Sequence, residues 1–197
     1  MTYPPAPWNM HGQLWLSLFR VREGDHPGRP AGVYGAALVS YELPSPLTYS
    51  ELLVARQVDK KVTISDIWVD SVDSRDGGRE LWAIPKDLCD FRLKNTGRRL
   101  QRTSWTASLE GRPIARARFG DVSNLTLRTP FKGATRQERP ADDDRAGEEV
   151  VASLKGSAKV LPCRASWEFN DVGPLAWLAG KRPLASFRMA DFQMSFG

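Results

Sequence analysis

RLQRTSWTASLEGRPIARARFGDV, residues 99–122, is the stretch that decides the fold class of this chain. Polar and apolar residues alternate along both of its halves, and this two-residue period is typical of β-strands that bury one face. Glu110 and Gly111 stand between the two halves, where glycine favours a tight turn. The stretch therefore predicts an antiparallel hairpin.

Most of the remaining chain has the same character. Seven further stretches are rich in β-branched and aromatic residues, and clusters such as GDHPGRP and LPSP separate them. We expect strands over residues 13–21, 31–43, 47–58, 61–72, 123–131, 150–161 and 163–170.

Helical patterns are limited to two stretches, residues 77–90 and residues 172–180, of which the second is long enough for only a short turn of helix. Residues 133–149 are polar, charged and interrupted by proline. We expect a mobile surface loop there rather than a domain boundary, because strand pattern resumes directly after it.

The length of 197 residues suits a single domain spanning 1–197. The predicted fold class is α+β and mostly antiparallel β: a closed or nearly closed β-barrel that encloses a small-ligand cavity, with a few short helices. Closure removes exposed strand edges, and a barrel of about ten strands can hold a small ligand. Seven tryptophans indicate a large aromatic core or an aromatic-lined cavity.

The formal net charge of +5 permits anionic partners but does not single them out. The basic residues are scattered along strands rather than clustered, so we expect no nucleic-acid partner. The sequence shows neither a signal-peptide pattern nor an apolar run of membrane-spanning length. We therefore expect a cytoplasmic protein with no membrane partner and with both cysteines reduced.

Known metal and cofactor motifs do not match. His11, His26, Cys89 and Cys163 lack the short local spacing of zinc sites. The acidic stretch 70–80 does not fit a calcium loop, and we expect its Asp76 to cap the helix that follows. Phosphate-loop, dinucleotide and serine-hydrolase patterns are also missing from the sequence. We expect no metal and no cofactor.

Lys86 is unusual because it is a charged residue in an apolar segment. It lies in GGRELWAIPKDLCDF, residues 77–91, among apolar residues that include Trp82 and Leu88. The ordinary interpretation is that the stem packs while the ammonium reaches water. The alternative is that burial lowers the pKa of the amine, so that it can attack a carbonyl group. Pro85 suits the first turn of a helix and would restart one at the lysine. Local sequence alone favours the ordinary interpretation.

The motif changes that balance. Gly78-Arg-Glu-Leu-Trp-Ala-Ile-Pro-Lys86 closely resembles the active-site segment of the acetoacetate decarboxylase family, and Tyr49-Ser50-Glu51 resembles its Tyr-x-Glu. The resemblance covers nearly the whole chain, whose two ends are similar to the short actinobacterial-type branch. It implies that Lys86 forms a Schiff base with the keto group of a substrate. It also implies that Glu51 points into the same pocket.

Two positions depart from the family. Asp87 stands where the decarboxylase proper has a second lysine, and Gln13 stands where the family uses an arginine to engage the substrate carboxylate. A nearby aspartate would raise the pKa of Lys86 rather than lower it. Glutamine offers hydrogen bonds but no charge.

The resemblance predicts a Schiff-base lyase that decarboxylates a small β-keto acid. Two alternatives stay open: an aldolase-dehydratase that joins a keto acid to an aldehyde through the same lysine, and a barrel that binds a small ligand without chemistry. The expected partner is a small keto acid or ketone, and the expected assembly is a homo-oligomer.

The predicted site has two catalytic residues, Lys86 and Glu51, with Glu51 positioning the substrate or shuttling a proton. The expected substrate-binding residues are Gln13, Tyr49, Trp68 and Trp82. Trp15 is a further candidate for the dry wall of the pocket. For each single tryptophan, plain core packing is the simpler interpretation.

Overall fold

This computed structural model describes residues 3–197. They contain eleven strands, one α-helix and one short 3₁₀ helix. The strands are β1 (Trp8–Val21), β2 (Gly32–Glu42), β3 (Tyr49–Val58), β4 (Lys61–Val69), β5 (Asp87–Leu88), β6 (Asp90–Thr96), β7 (Arg102–Leu109), β8 (Arg112–Asp121), β9 (Arg128–Glu138), β10 (Glu149–Phe169) and β11 (Ala185–Phe196). The helix α1 spans Val72–Trp82, and the 3₁₀ helix spans Ala176–Leu178.

Seven strands form a ring in the order β11-β1-β2-β3-β4-β9-β10, and β10 pairs again with β11. Six of the seven junctions are antiparallel ladders, whereas β4 and β9 meet in parallel at a single pair, Val62 and Thr135. At this seam the buried Gln137 amide donates to the Ile64 carbonyl and accepts from the Ile64 N–H, as a backbone would. The predicted nearly closed barrel is confirmed.

A second sheet leaves the ring through β10, whose last third pairs with β8. β8, β7 and β6 follow in antiparallel order. The hairpin predicted over 99–122 is β7 and β8, and Glu110 and Gly111 at its turn have φ values of 49° and 77°. Two left-handed residues in succession match the twist of the strands that they join.

The alternation of each strand divides the apolar residues between two cores. One core fills the space between the ring and the second sheet, with Trp15, Trp68 and Trp105 among its members. The other lies inside the ring and includes Trp8 and Trp82. The inner core is the one that surrounds the candidate site.

The helix differs from its prediction. α1 begins five residues earlier than expected, with the Ser71 side chain accepting from the Ser74 N–H as the N-terminal cap, so the expected cap at Asp76 is wrong. It ends at Ala83, which is left-handed, with φ 54°. Pro85 therefore starts no helix, and Lys86 lies in the extended segment beyond α1.

Strand and loop bounds also differ in places. β9 runs to Glu138, so the connection to β10 is limited to 139–148 rather than 133–149. Thr135 and Gln137 alternate inward there, which makes a polar segment part of the sheet. The strand expected over 123–131 begins only at Arg128. Across residues 3–197, we find no helix long and apolar enough to cross a membrane.

Candidate active site

A cavity of about 170 Å³ lies inside the ring. Most of its wall is apolar and comes from β1, β2, β3, β4, β9, β10, β11 and the segment around the end of α1. Its lining residues are Trp8, Met10, Leu14, Val39, Tyr41, Tyr49, Glu51, Leu53, Val62, Ile64, Ile67, Trp82, Ile84, Lys86, Thr135, Leu154, Met194 and Phe196. Lys86 and Glu51 are the only charged members of this set.

The end of α1 sets the position of Lys86. The left-handed Ala83 turns the chain, and the Ile84 N–H donates to the Gly78 carbonyl at 3.1 Å. Arg79 then fixes the lysine backbone, because its Nε donates to the Lys86 carbonyl at 2.6 Å. The Arg79 guanidinium also pairs with the exposed Asp87 carboxylate at 2.6 Å. Asp87 is therefore held at the surface by Arg79.

Two glycines of α1 make room for neighbouring side chains. A Cβ at Gly78 would lie 2.7 Å from Cδ and 2.9 Å from Cε of Lys86. A Cβ at Gly77 would lie 2.7 Å from the Trp8 ring. Each glycine costs helix stability of about 1 kcal/mol relative to alanine, so their presence is explained by this close packing.

The Lys86 ammonium is buried, and each of its three protons has an acceptor. Nζ lies 3.0 Å from Oε2 of Glu51, 2.9 Å from Oγ of Ser74 and 3.3 Å from the hydroxyl of Tyr49. Nζ also lies 5.0 Å from the centroid of the Tyr49 ring, within the range of a cation–π contact. The ammonium is thus held between Glu51, Ser74 and Tyr49 rather than reaching water.

Glu51 reaches the cavity because β3 alternates. Tyr49, Glu51 and Leu53 face inward, while Leu52 and Val54 face the core between the ring and the second sheet. The Tyr41 hydroxyl donates to Oε1 of Glu51 at 3.1 Å, so each carboxylate oxygen has a partner. Neither Tyr41 nor Ser74 was predicted from the sequence. Tyr41 follows the inward Val39 by two residues on β2, which is the signal that could have found it.

Burial and charge act in opposite directions on Lys86. Burial lowers its pKa, but the Glu51 carboxylate and Tyr49 outweigh burial, so the pKa of Lys86 is raised above its ordinary value. The resting site therefore pairs the Lys86 ammonium with Glu51. The raised pKa runs against the hypothesis that burial lowers it, and the burial of Lys86 runs against the interpretation in which the ammonium reaches water. Burial, reinforced by Glu51, raises the pKa of Tyr41 well above its ordinary value, so its hydroxyl keeps its proton.

The structure separates the predicted substrate-binding residues into two groups. Tyr49 and Trp82 line the cavity with Lys86 and Glu51. Trp68 does not, because it belongs to the core between the ring and the second sheet, as does Trp15.

Gln13 also lies outside the cavity wall. Its Oε1 accepts from the Arg188 guanidinium at 2.9 Å, and Arg188 pairs with Asp121 at 2.8 Å. Gln13 is therefore committed to a buried ion pair that joins the ring to the second sheet.

Other nucleophiles and ligand sets are weak candidates. Burial raises the pKa of Cys89 to about 12 and that of Cys163 to about 12, so neither thiol ionises near neutral pH. Within the described residues 3–197, no three His, Cys, Asp or Glu side chains gather into a set that could hold a metal ion.

No protein-family model and no curated protein sequence matches this chain, but solved structures do. The enduracididine biosynthesis enzyme MppR, solved with pyruvate, superposes with a TM-score of 0.71 at 15% identity, over 99% of this chain and 90% of that one. An acetoacetate decarboxylase-like enzyme from Sphingomonas wittichii RW1 gives 0.64 at 14% identity over 98% and 91%. An acetoacetate decarboxylase from Legionella pneumophila gives 0.60 at 14% identity over 100% and 86%.

These three structures are similar to the chain over nearly its whole length. The chain therefore has the fold of the acetoacetate decarboxylase-like enzymes, which confirms the resemblance at the level of the fold. The short actinobacterial-type branch stays a prediction.

Proposed function

We propose that this chain is a lyase that forms a Schiff base between Lys86 and a small carbonyl compound. The observation that carries the proposal is the buried Lys86 ammonium, 3.0 Å from Glu51, at the wall of an apolar cavity. A lysine amine beside a carboxylate that can hold its proton has what imine formation requires. MppR, a neighbour in fold, was solved with the small keto acid pyruvate, which supports a substrate of this size.

The first step would transfer one proton from the Lys86 ammonium to Glu51. The freed amine adds to the carbonyl carbon of the substrate, and one N–H proton moves to the oxygen to give a neutral carbinolamine. Glu51 then returns its proton to that hydroxyl, which leaves as water. The products are an iminium ion on Lys86 and the Glu51 carboxylate, so charge is conserved.

The iminium can accept electrons from a bond next to it. In the decarboxylation that the sequence predicts, the bond to the carboxylate breaks, CO₂ leaves and its electron pair forms an enamine. In the aldol alternative, the Glu51 carboxylate removes a proton from the same carbon, and the enamine attacks an aldehyde. Both routes start from the iminium, and its formation uses the Glu51 carboxylate, which lies 3.0 Å from the lysine.

One observation is also compatible with the alternative of a barrel without chemistry. The raised pKa of Lys86 keeps the resting amine protonated, which suits a plain cation as well as a nucleophile awaiting proton transfer. A trapping experiment separates these two roles, because only a nucleophile forms a covalent adduct.

The test is borohydride reduction of the protein incubated with acetoacetate, pyruvate or acetone, followed by intact mass measurement. Wild type should gain one adduct with at least one compound. Lys86→Arg keeps the positive charge beside Glu51 but cannot form an imine, so it should gain none. Lys132→Arg makes the same change at an exposed lysine of β9 as the matched control and should behave as wild type. Equal labelling of Lys86→Arg, or no adduct with any compound, would overturn the proposal.

A further inference from the structure

We propose that the substrate of this site is a neutral ketone or aldehyde with one further hydrogen-bonding oxygen, rather than a keto acid. The inference rests on the proposed Schiff-base function and narrows its substrate class. Three features carry it: the charge balance of the cavity, the charges of an adjoining groove and one unpartnered hydroxyl.

The charge balance comes first. Lys86 and Glu51 already neutralise each other, and the other cavity-lining residues are uncharged. The iminium keeps the charge of the ammonium, so a neutral substrate leaves the cavity neutral throughout imine formation. A substrate carboxylate would add a second anion with no cation to pair with it. Burying an unpaired carboxylate is costly, and a small substrate buries little apolar surface to offset that cost.

An open groove of about 790 Å³ adjoins the cavity, since Ile64 and Ile84 line both. The acidic side chains of the groove are Asp76, Glu80, Glu138, Asp142 and Asp143. Arginines pair with three of them: Arg75 with Asp76, Arg145 with Glu80 and Arg139 with Asp143.

The remaining two groove carboxylates, Glu138 and Asp142, pair with no cation among residues 3–197. Arg79, the one basic residue of the groove lining within the described part of the chain, is paired with Asp87. The groove therefore offers no surplus positive charge to attract an anionic substrate toward the cavity.

Thr135 supplies the third feature. Its side chain lines the cavity from β9, the residue is 4% exposed, and its Oγ1 has no hydrogen-bond partner among the described residues. A buried hydroxyl without a partner is rare in proteins, because the group loses its bond to water and gains none. An oxygen of the substrate would satisfy it. Thr135 is on a different strand from the lysine cluster, so it marks a second polar contact point for the ligand.

The cavity volume bounds the size of this ligand. An apolar cavity of about 150 Å³ holds benzene, so about 170 Å³ suits roughly six to eight non-hydrogen atoms. A hydroxyketone such as 4-hydroxy-2-butanone meets the limits of size, charge and polarity. A neutral substrate has no CO₂ to lose, and the chemistry left to its imine is of the aldol type.

The experiment compares three ketone probes of similar size on the whole chain. Acetoacetate carries a charge, 4-hydroxy-2-butanone carries a neutral oxygen, and 2-pentanone has a methyl group in place of that hydroxyl. Borohydride trapping over a concentration series gives the half-saturating concentration of each, with the adduct mass distinguishing acetoacetate from acetone. The hydroxyketone should saturate wild type at a concentration at least tenfold lower than acetoacetate does.

Thr135→Val tests the second contact point, with Thr129→Val, an exposed threonine of the same strand, as control. The preference of wild type for the hydroxyketone over 2-pentanone should be about fivefold or more, and should fall to about one in Thr135→Val alone. Equal or tighter saturation by acetoacetate would overturn the neutral substrate. An unchanged preference in Thr135→Val would overturn the role of the threonine.

Calorimetric titration of wild type with the same three compounds distinguishes failure of this inference from failure of the proposed function. If no adduct forms with any compound, Lys86 is no Schiff-base nucleophile, but the order of binding still tests the preference for a neutral ligand. Tighter binding of acetoacetate in that titration would overturn the inference without any covalent step.

Discussion

Lys86–Glu51 and Arg188–Asp121 are both buried ion pairs, and they lie in different surroundings. The side chains of the first pair are 5% and 4% exposed, and those of the second are 10% and 6% exposed. Arg188 has two further neighbours, with Gln13 accepting one of its hydrogen bonds and the centroid of the Trp15 ring 5.6 Å from its guanidinium carbon. Lys86 instead adjoins a cavity.

The two cations also differ chemically. Arginine does not lose its proton in proteins, so Arg188 serves as a fixed link between the ring and the second sheet. Lysine can lose its proton once the carboxylate takes it or is removed. The same device, a charge buried with its counter-charge, is thus structural in one place and suited to chemistry in the other.

The largest expected effect comes from removing each counter-charge by an isosteric change. Asp121→Asn leaves Arg188 charged and unpaired, and should lower the free energy of unfolding by about 3–5 kcal/mol at any pH from 7 to 10. Glu51→Gln should cost a similar amount at pH 7 but less as pH rises. Without the carboxylate, burial lowers the pKa of Lys86, so the folded state holds a neutral amine while the unfolded state binds a proton.

The sign follows from this difference in bound protons. Stability rises with pH wherever the unfolded state binds more protons, here by up to about 1.4 kcal/mol per pH unit between the lowered pKa of the folded variant and the ordinary lysine value near 10.4. Wild type lacks this slope from Lys86 below about pH 10, because the amine is protonated in the folded state, where its pKa is raised, and in the unfolded state, where its pKa is the ordinary one. Urea unfolding at pH 7, 8, 9 and 10 measures it. Parallel pH profiles for Glu51→Gln and Asp121→Asn would contradict this difference, because they would show that the two buried cations respond to pH in the same way.

Sequence patterns were enough for the parts of the fold that depend on local alternation. The hairpin of β7 and β8 is an example, since both its period and its turn lie within 24 consecutive residues, 99–122. The pairing of Lys86 with Glu51 was predictable only because two short motifs resemble those of a known family. Nothing in the spacing of residues 51 and 86 places them together.

Trp68 shows why the orientation of some side chains could not be predicted from the sequence. Regular alternation from the inward Val62 and Ile64 would turn Trp68 into the cavity. The pairing of β4 with β3 shifts register at Ser65, so Ile64 and Ile67 both face inward and Trp68 faces outward. Such a bulge reverses every side chain beyond it and depends on the partner strand.

The end of α1 and the raised pKa of Lys86 could not be predicted from the sequence for similar reasons. Ala83 adopts the left-handed conformation that glycine usually adopts at the end of a helix. The residue type at this position therefore does not predict where α1 ends. The raised pKa depends on the Glu51 carboxylate, which reaches Lys86 only after the ring has formed.

A smaller effect on stability is expected from substitutions at the two glycines of α1. They test whether the cavity beside Lys86 gives its side chain room to move. In Gly78→Ala the three atoms nearest to the new Cβ all belong to the flexible stem of Lys86, which can move because it adjoins the cavity. Stability should therefore stay within about 1 kcal/mol of wild type, helped by the better helix propensity of alanine. The displaced Nζ should form the borohydride-trapped adduct at least tenfold more slowly.

Gly77→Ala is the matched change one residue away. Its Cβ would meet the rigid Trp8 ring at 2.7 Å, so it should lower the free energy of unfolding by about 1–3 kcal/mol. Measuring the unfolding free energy and the adduct rate of both variants separates the two effects. A wild-type adduct rate in Gly78→Ala would show that close packing on α1 does not position the lysine.

The smallest effect is expected at Asp87, the residue that follows Lys86 and departs from the family. Its carboxylate is largely exposed and pairs with Arg79 at 2.6 Å, so solvent and salt screen it from the buried ammonium. Asp87→Asn should change the adduct rate by less than about twofold between pH 6 and 9, whereas Glu51→Gln should change both the rate and its pH profile. A shift of the Asp87→Asn profile toward that of Glu51→Gln would mean that the site senses a surface charge. The Lys86 ammonium would then be less isolated from surface charges than its burial indicates. Its electrostatic environment would differ from that of Arg188 only in degree.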